Sequence, residues 1–229
     1  MYNLLKSDLY KLKYSKELKL SLLLIILLGT INILSQVRET GKLMFISEFS
    51  DMFGLMGCTL FAGMFIGKEF TNRTIYHPVM TGCGRSSILF SKFLTYWFGC
   101  FIILGVNLIL NGGVYSIIYG WGQPMVTAEW LFIIKYSFLH VIFNLCLTSA
   151  AFFISVLIKD TGMATAVCSV GMGIFLAVSQ MFWNGLNLYL AQGSQSLGSA
   201  PIILAFMMIF IPIGVVLIST VLFNKQDIK

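Results

Sequence analysis

The sequence predicts an all-α membrane protein: six transmembrane helices, an N-terminal interfacial amphipathic helix and a short cytoplasmic helix between spans two and three. Three observations carry that prediction. Of 229 residues, 58% are hydrophobic and only 10% charged, whereas a water-soluble domain carries about 25% charged residues; the mean hydropathy of +0.88 agrees. The apolar residues fall into long runs bounded by charge or turn residues. The basic residues gather in alternate connections between those runs. Six helices of roughly 20 residues occupy about 120 positions, too many to leave room for a separate soluble domain, so residues 1–229 form a single transmembrane domain. A soluble enzyme is excluded, and so is a nucleic-acid binder, despite the net charge of +6.

Residues 1–17 come first. Tyr2, Leu5, Leu9 and Leu12 share one side of a helical wheel, with Ser7, Lys11 and Tyr14 opposite. This is the pattern of a helix lying on the inner leaflet, where each lysine near anionic lipid contributes on the order of 1 kcal/mol. A basic tail without regular structure is the plain alternative. Lysines 6, 11, 13 and 16 precede the apolar run that begins at Leu18, as in a signal peptide. No alanine occurs before Ala62, so an A-x-A cleavage site is missing and the run is expected to remain as the first span. The spans fall near 18–37, 49–67, 93–119, 136–157, 162–183 and 201–223, with Asp51 at the outer mouth of the second.

Orientation follows from the basic residues. With a cytoplasmic N-terminus, 12 of the 15 lie inside, Arg38 and Lys42 lie outside, and Lys135 marks the outer edge of span four. Both termini are then cytoplasmic. The nine acidic residues all fall at span ends or in connections, so the chain lacks the mid-membrane carboxylate that an ion-coupled carrier requires. No GxSxG, HExxH or GxxxxGK[ST] occurs, which removes the corresponding hydrolases and a P-loop; the chain is not an enzyme. The five cysteines show no CxxC pairing and read as small packing residues, with no metal site. The Asn72-Arg73-Thr74 sequon sits on the cytoplasmic side, and AQGSQSLG (191–198) lies in an outside loop, too far from any phosphate site to act as an ATPase signature.

The most informative segment is 67–92, with Lys68, Glu69, Arg73, Arg85 and Lys92 in a short connection after a glycine-rich span. Residues 68–77 suit a short helix that Pro78 ends, Thr81-Gly82-Cys83-Gly84 suits a turn, and Ser86 suits a cap for the next span. Such a helix, held parallel to the membrane, offers a surface to a cytoplasmic partner. A solvated loop carrying the positive-inside charge explains the composition equally well.

The order G-K-E-F-x-x-x-T at Gly67, Lys68, Glu69, Phe70 and Thr74, followed by G-x-x-R-x-x-I-x-x-S-K at Gly82, Arg85, Ile88, Ser91 and Lys92, resembles the ABC-2 family of exporter permeases. Arg73 departs from the pattern, since that family often has glycine before the threonine. The resemblance implies that 68–77 is a coupling helix docking on separate cytoplasmic ABC ATPase subunits. ATP and Mg2+ would be held there, with no cofactor in this chain. Lys68, Glu69, Phe70, Asn72, Arg73 and Thr74 would face the ATPase, with Lys159 and Asp160 as a smaller contact. On that expectation Glu69→Arg uncouples the ATPase while the chain stays folded. The resemblance also implies a second permease subunit, identical or related, with spans one and five near the shared interface, in a bacterial plasma membrane. It suggests a re-entrant hairpin within 182–199.

Within the spans, Thr165, Ser169, Gly173 and Ala177 recur every fourth residue on span five, as do Thr59, Gly63 and Gly67, and Gly54, Cys58 and Ala62, on span two. Small residues at this spacing allow close helix approach, within the subunit or across a dimer. Asn107 and Asn111 on span three, and His140, Asn144 and Thr148 on span four, are polar at i, i+4 spacing. At 1.5 Å per residue, Asn111 and Asn144 come to similar depths, so an interhelical hydrogen bond is expected, with a path-lining role as the other reading. Residues 120–135, with Trp121 and Trp130, look interfacial. The function expected is the permease subunit of an ATP-driven exporter, its cargo an amphipathic peptide, antibiotic or lipid-like molecule, in contact with membrane lipids. A membrane scaffold or sensor that recruits a cytoplasmic partner without transport is the alternative. A channel would need a charged ring or filter-like run, which is missing.

Overall fold

A computed structural model describes residues 2–35, 52–122, 127–171, 173 and 200–225. Arg38, Lys42, Asp51, Ala177 and the hairpin expected at 182–199 lie outside the described residues, as do the side chains of Trp130, Lys135 and His140. The described residues are helical, with no strand among them. In chain order they form α1 (Tyr2–Tyr14), α2 (Lys16–Ser35), α3 (Met52–Thr71), a 3-10 turn (Thr74–Tyr76) and the short α4 (His77–Met80). There follow α5 (Arg85–Tyr119), the 32-residue α6 (Thr127–Ile158), α7 (Thr161–Gly171) and α8 (Ala200–Lys225).

Among the described residues, three helices are long and apolar enough to cross a membrane: Met52–Thr71, Arg85–Tyr119 and Val141–Ile158. Thr161–Gly171 and Phe210–Phe223 are shorter apolar helices. Span three is longer than expected. Its helix starts at Arg85 and passes through a π-helical stretch, Ile109–Val114, before ending at Tyr119. Helix α6 begins at Thr127, so much of the segment expected to be interfacial belongs to a helix continuous with span four.

Ser15 separates α1 from α2. Its hydroxyl donates to Leu12 O (2.8 Å) and accepts from Leu18 N (3.3 Å), so one residue closes one helix and caps the next. Helix α3 packs on α2 and α7 through its glycines. A Cβ at Gly57 would stand 2.8 Å from Ile25 Cγ1, one at Gly63 would stand 2.7 Å from Thr165 Cα, and one at Gly67 would stand 3.0 Å from Thr161 Cα. Aromatic rings fill the space between α3, α5 and α6. Phe61 stacks on Tyr96 at 5.8 Å, Phe93 meets Phe152 edge-on at 5.3 Å, and Tyr96 Oη donates to Thr148 O at 3.0 Å.

The segment 68–77 is not one short helix. Span two continues as α3 to Thr71, the chain turns at Asn72-Arg73, and the 3-10 turn leads directly into α4. Pro78 does not end a helix but lies in the first turn of α4, where its missing N–H forfeits no intrahelical bond. Arg73 breaks the helix by adopting φ 56°, ψ 15°, a left-handed conformation that costs a side-chain-bearing residue on the order of 1 kcal/mol or more.

Candidate functional site

The charged ends of α1, α2, α3 and α5 meet at one end of the bundle. Lys92, on the first turns of α5, is buried. Its ammonium donates to Asp8 Oδ1 of α1 at 2.5 Å and to Glu69 Oε1 of α3 at 2.6 Å. Ser91 Oγ completes the shell of Asp8 by donating to Oδ2 at 2.8 Å. Lys11, itself largely exposed, lies 4.0 Å from Glu69 Oε1. The second Glu69 oxygen, Oε2, is buried without a hydrogen-bond partner. Beside this cluster Lys68 pairs with Glu17 at the start of α2. Three cations and three anions thus balance. Partial burial pushes the Glu17 carboxyl up, but the hydrogen bond and charge of Lys68, a backbone N–H and the charge of Lys16 outweigh it. The net value lies below the ordinary 4.5.

Removing one partner of such a buried ion pair costs roughly 3–5 kcal/mol, because the remaining charge stays in a poor solvent. The exposed contact with Lys11 contributes at most about 1 kcal/mol. Lys92 is therefore the pin of the cluster, joining three helices through two carboxylates.

The two connections on this face touch. Thr71 Oγ1 and Thr161 Oγ1 lie 2.9 Å apart, Thr161 N donates to Thr71 Oγ1 at 3.2 Å, and Thr71 Oγ1 reaches Lys159 O at 3.5 Å. Lys159 adopts φ 57° and closes α6, its N–H reaching Ser155 O at 3.3 Å. Asp160 caps α7, with Oδ1 accepting from Met163 N at 2.9 Å. The structure thus brings 67–74 and 159–161 together, as parts of one surface.

Within that surface the expected outward residues divide. Phe70 is buried against Phe223 of α8, with ring centroids 6.1 Å apart, and Glu69 turns inward to Lys92. Both side chains are thus turned into the bundle. The reason is that α3 keeps its helical period through Thr71, so position 70 continues the buried face of Gly63 and Ile66. Lys68, Asn72, Arg73 and Thr74 are exposed. Thr74 Oγ1 donates to Glu69 O at 3.3 Å, tying the turn back to α3. A cavity of about 260 Å3 lies behind it, between Lys11, Glu17, Lys68 and Asn72. Glu69→Arg would set a cation against Lys92 and Lys11, so it would unfold this end and not uncouple a partner alone.

Asp8, Ser91 and Lys92 were not among the expected site residues. Asp8 and Leu12 form the buried side of α1, continued by Ser15 just past its end, rotated from the Tyr2-Leu5-Leu9-Leu12 face toward Asp8. A carboxylate within one turn of Leu12 on an otherwise basic helix was the available signal.

Deeper in the bundle, Asn107, Asn111 and Asn144 are all buried. The expected bond between Asn111 and Asn144 is not formed. Asn111 Nδ2 donates instead to Asn107 Oδ1 on its own helix at 3.2 Å. Asn111 lies in the π stretch, whose wider turn rotates it away from the direction a regular α-helix would give. Its Oδ1, buried without a partner, rests against Gly29 of α2, 3.2 Å from where a Cβ would stand. Thr148 bonds back to Leu145 O at 2.8 Å. Thr165 of α7 packs on Gly63 inside the subunit, whereas Gly173, beyond the end of α7, is exposed. Ser169 is half-buried between them. No group of acidic, histidine or cysteine side chains fit to hold a metal occurs among the described residues.

Fold and site together define an all-helical protein with membrane-spanning character and an ion-paired, multi-helix junction at one end. Compared with protein-family models, curated proteins and solved structures, the chain matches none.

Proposed function

We propose that this chain is the transmembrane permease subunit of an ATP-driven exporter of the ABC-2 type. In this reading it spans a bacterial plasma membrane six times, with both termini cytoplasmic. A separate ATPase docks on the turn at 71–76 and on Lys159-Asp160, and a second permease subunit completes the assembly. The cargo class is an amphipathic peptide, antibiotic or lipid-like molecule.

The observation that carries the reading is the braced turn. Asn72, Arg73 and Thr74 are exposed, while the residue just inside them, Glu69, shares Lys92 with Asp8. A load applied to the turn is therefore borne by α3, α5 and α1 together, as a power input requires. A solvated loop has no need of that bracing. The left-handed Arg73 supports the resemblance as well, since glycine, the residue the family pattern places there, adopts that conformation without a steric penalty.

The test is co-expression of the tagged chain with an ATPase encoded beside it. Arg73→Glu is expected to lower recovered ATPase about tenfold, a loss of roughly 1.4 kcal/mol in affinity, and to abolish cargo-stimulated hydrolysis while the chain keeps its unfolding temperature. A chain purified with no ATPase under every condition would overturn the reading in favour of a non-transporting scaffold.

A further inference from the structure

At the ion-paired end of the bundle a cleft of about 310 Å3 opens between α2, α3 and the start of α7. It is lined by Lys16, Glu17, Leu20, Met64, Lys68 and Thr161. Its charged and apolar linings are separated by depth. Lys16, Glu17 and Lys68 stand at the rim, whereas Leu20 and Met64 lie four residues further along their helices from Lys16 and Lys68, about 6 Å at 1.5 Å per residue. Lys68 is committed to Glu17. Lys16 is exposed and has no ion-pair partner among the described residues. Two cations and one anion leave the rim with one uncompensated positive charge.

The apolar lining continues past the cleft. Helices α2 and α3 run antiparallel, since Glu17 pairs with Lys68 and Ile25 packs against Gly57. Beyond Leu20 the outward side of α2 goes on through the exposed Leu23 and Leu27. Beyond Met64 that of α3 goes on through the half-buried Leu60 and Met56, at the four-residue steps that keep one side of a helix. Met56 lies twelve residues from Lys68, about 18 Å at 1.5 Å per residue, and one leaflet contributes about 15 Å of hydrocarbon. The position of the charges selects the occupant. Leu20 and Met64 lie on the membrane side of Lys16 and Lys68, so a cytoplasmic partner meets only the rim. A molecule that fills the whole cleft must come from within the bilayer, with an anionic head and an apolar chain.

We propose that this cleft seats an anionic phospholipid, its phosphate at the Lys16 ammonium and one acyl chain against Leu20 and Met64. The unbranched Met64 side chain adapts to a mobile chain as a branched one could not. The lipid links the start of α2 to the end of α3 beside the Glu17–Lys68 pair. The inference needs only that α3, which is long and apolar enough to do so, crosses the bilayer, and it stands apart from any ATPase.

A photoreactive side chain at Met64 reports on the seat directly. The full chain carrying Met64→p-benzoylphenylalanine is reconstituted in phosphatidylcholine nanodiscs with a minor, fixed fraction of phosphatidylglycerol. After irradiation its adducts are identified by mass spectrometry. Phosphatidylglycerol is expected to be enriched about fivefold over its share of the bilayer, the factor for one basic residue at an anionic headgroup. Lys16→Gln should return the adducts to the bulk proportion. Lys6→Gln, which removes another exposed charge outside the cleft, should leave the enrichment in place. With Lys16 intact, adducts in bulk proportion or no lipid adduct at all would overturn the proposal. So would enrichment that survives Lys16→Gln or is lost equally in Lys6→Gln. A cross-link to a second copy of the chain in place of lipid would overturn it too, by showing the cleft closed by protein. Native mass spectrometry of the chain without the photoreactive residue gives an independent reading. Phosphatidylglycerol retained by the parent and lost in Lys16→Gln supports the seat, and equal retention by the two, or none by the parent, overturns it.

Discussion

Lys92 holds two carboxylates at once, and the energetic consequence is asymmetric. Lys92→Met leaves Asp8 and Glu69 buried side by side and is expected to cost about 3–5 kcal/mol, visible as a lower denaturation midpoint in detergent. Neutralising all three, with Asp8→Asn, Glu69→Gln and Lys92→Met together, should recover much of that loss, since no buried charge remains. Lys11→Met, by contrast, removes an exposed contact at 4.0 Å and should change stability by less than about 1 kcal/mol. A tripled variant no better than Lys92→Met would show that the cluster is not held by its charges. Arg73 gives a second residue-scale prediction. Arg73→Gly relieves a left-handed conformation but adds freedom to the unfolded chain, so stability should shift by under about 1 kcal/mol. Arg73→Val, β-branched at φ 56°, should lose roughly 1–3 kcal/mol; equal midpoints for the two would refute the strain argument.

Helix ends and helix contacts carry the next scale. The Glu17–Lys68 pair ties the start of α2 to the end of α3, and the Glu17 carboxyl is depressed below 4.5. Its contribution is therefore complete above pH 4.5 and is lost as pH falls through the lower folded-state value. Protease cleavage near residues 14–19 should rise on acidification, and Glu17→Gln should flatten the part of that rise that belongs to this pair. At the α3–α7 contact, Gly63→Val drives a side chain into Thr165 and should cost about 1–3 kcal/mol. Gly214→Ala, in α8 with open space around it, should gain up to about 1 kcal/mol. These contacts also show what could be read in advance. The small-residue stripe of span two was visible as spacing, and Gly63 and Gly67 sit against α7 accordingly. Phe70 was legible too, had the period of span two been carried past Lys68, because charge does not end a helix. The Asn111–Asn144 bond was not, because a π turn leaves no signature in an apolar run.

For the molecule as a whole, composition made the membrane class plain, and the ion pairs that organise one end were hidden by sequence distance. Asp8 and Lys92 are 84 positions apart, and no local pattern links them. Arg85, Ile88, Ser91 and Lys92 stood out only as a loose motif. In the fold they share one side of α5, where Ile88 is buried and the other three bond to α8, α1 and α3. The length of α5 yields a prediction at this scale. Its 35 residues extend about 52 Å at 1.5 Å per residue, well beyond the roughly 30 Å hydrocarbon core. In a cysteine-free background, Asn72→Cys and Gly122→Cys should therefore react with impermeant maleimide from opposite sides of the membrane. Labelling of both from one side would refute a crossing by α5.

The wide separation of Asp8 from Lys92 bears on biogenesis. At about 5–20 residues per second, the ribosome needs roughly 4–17 s to add the residues between them. Throughout that interval the Asp8 carboxylate lacks the Lys92 ammonium, although α2 and α3 have already been synthesised. The first helix must therefore wait at the water interface and dock only once the start of α5 emerges. Arrested nascent chains should make this visible. Chains halted before Lys92 leaves the ribosome should expose residues 2–14 to protease, whereas those halted well after it should protect them, and equal exposure of both would show that docking does not wait for the lysine.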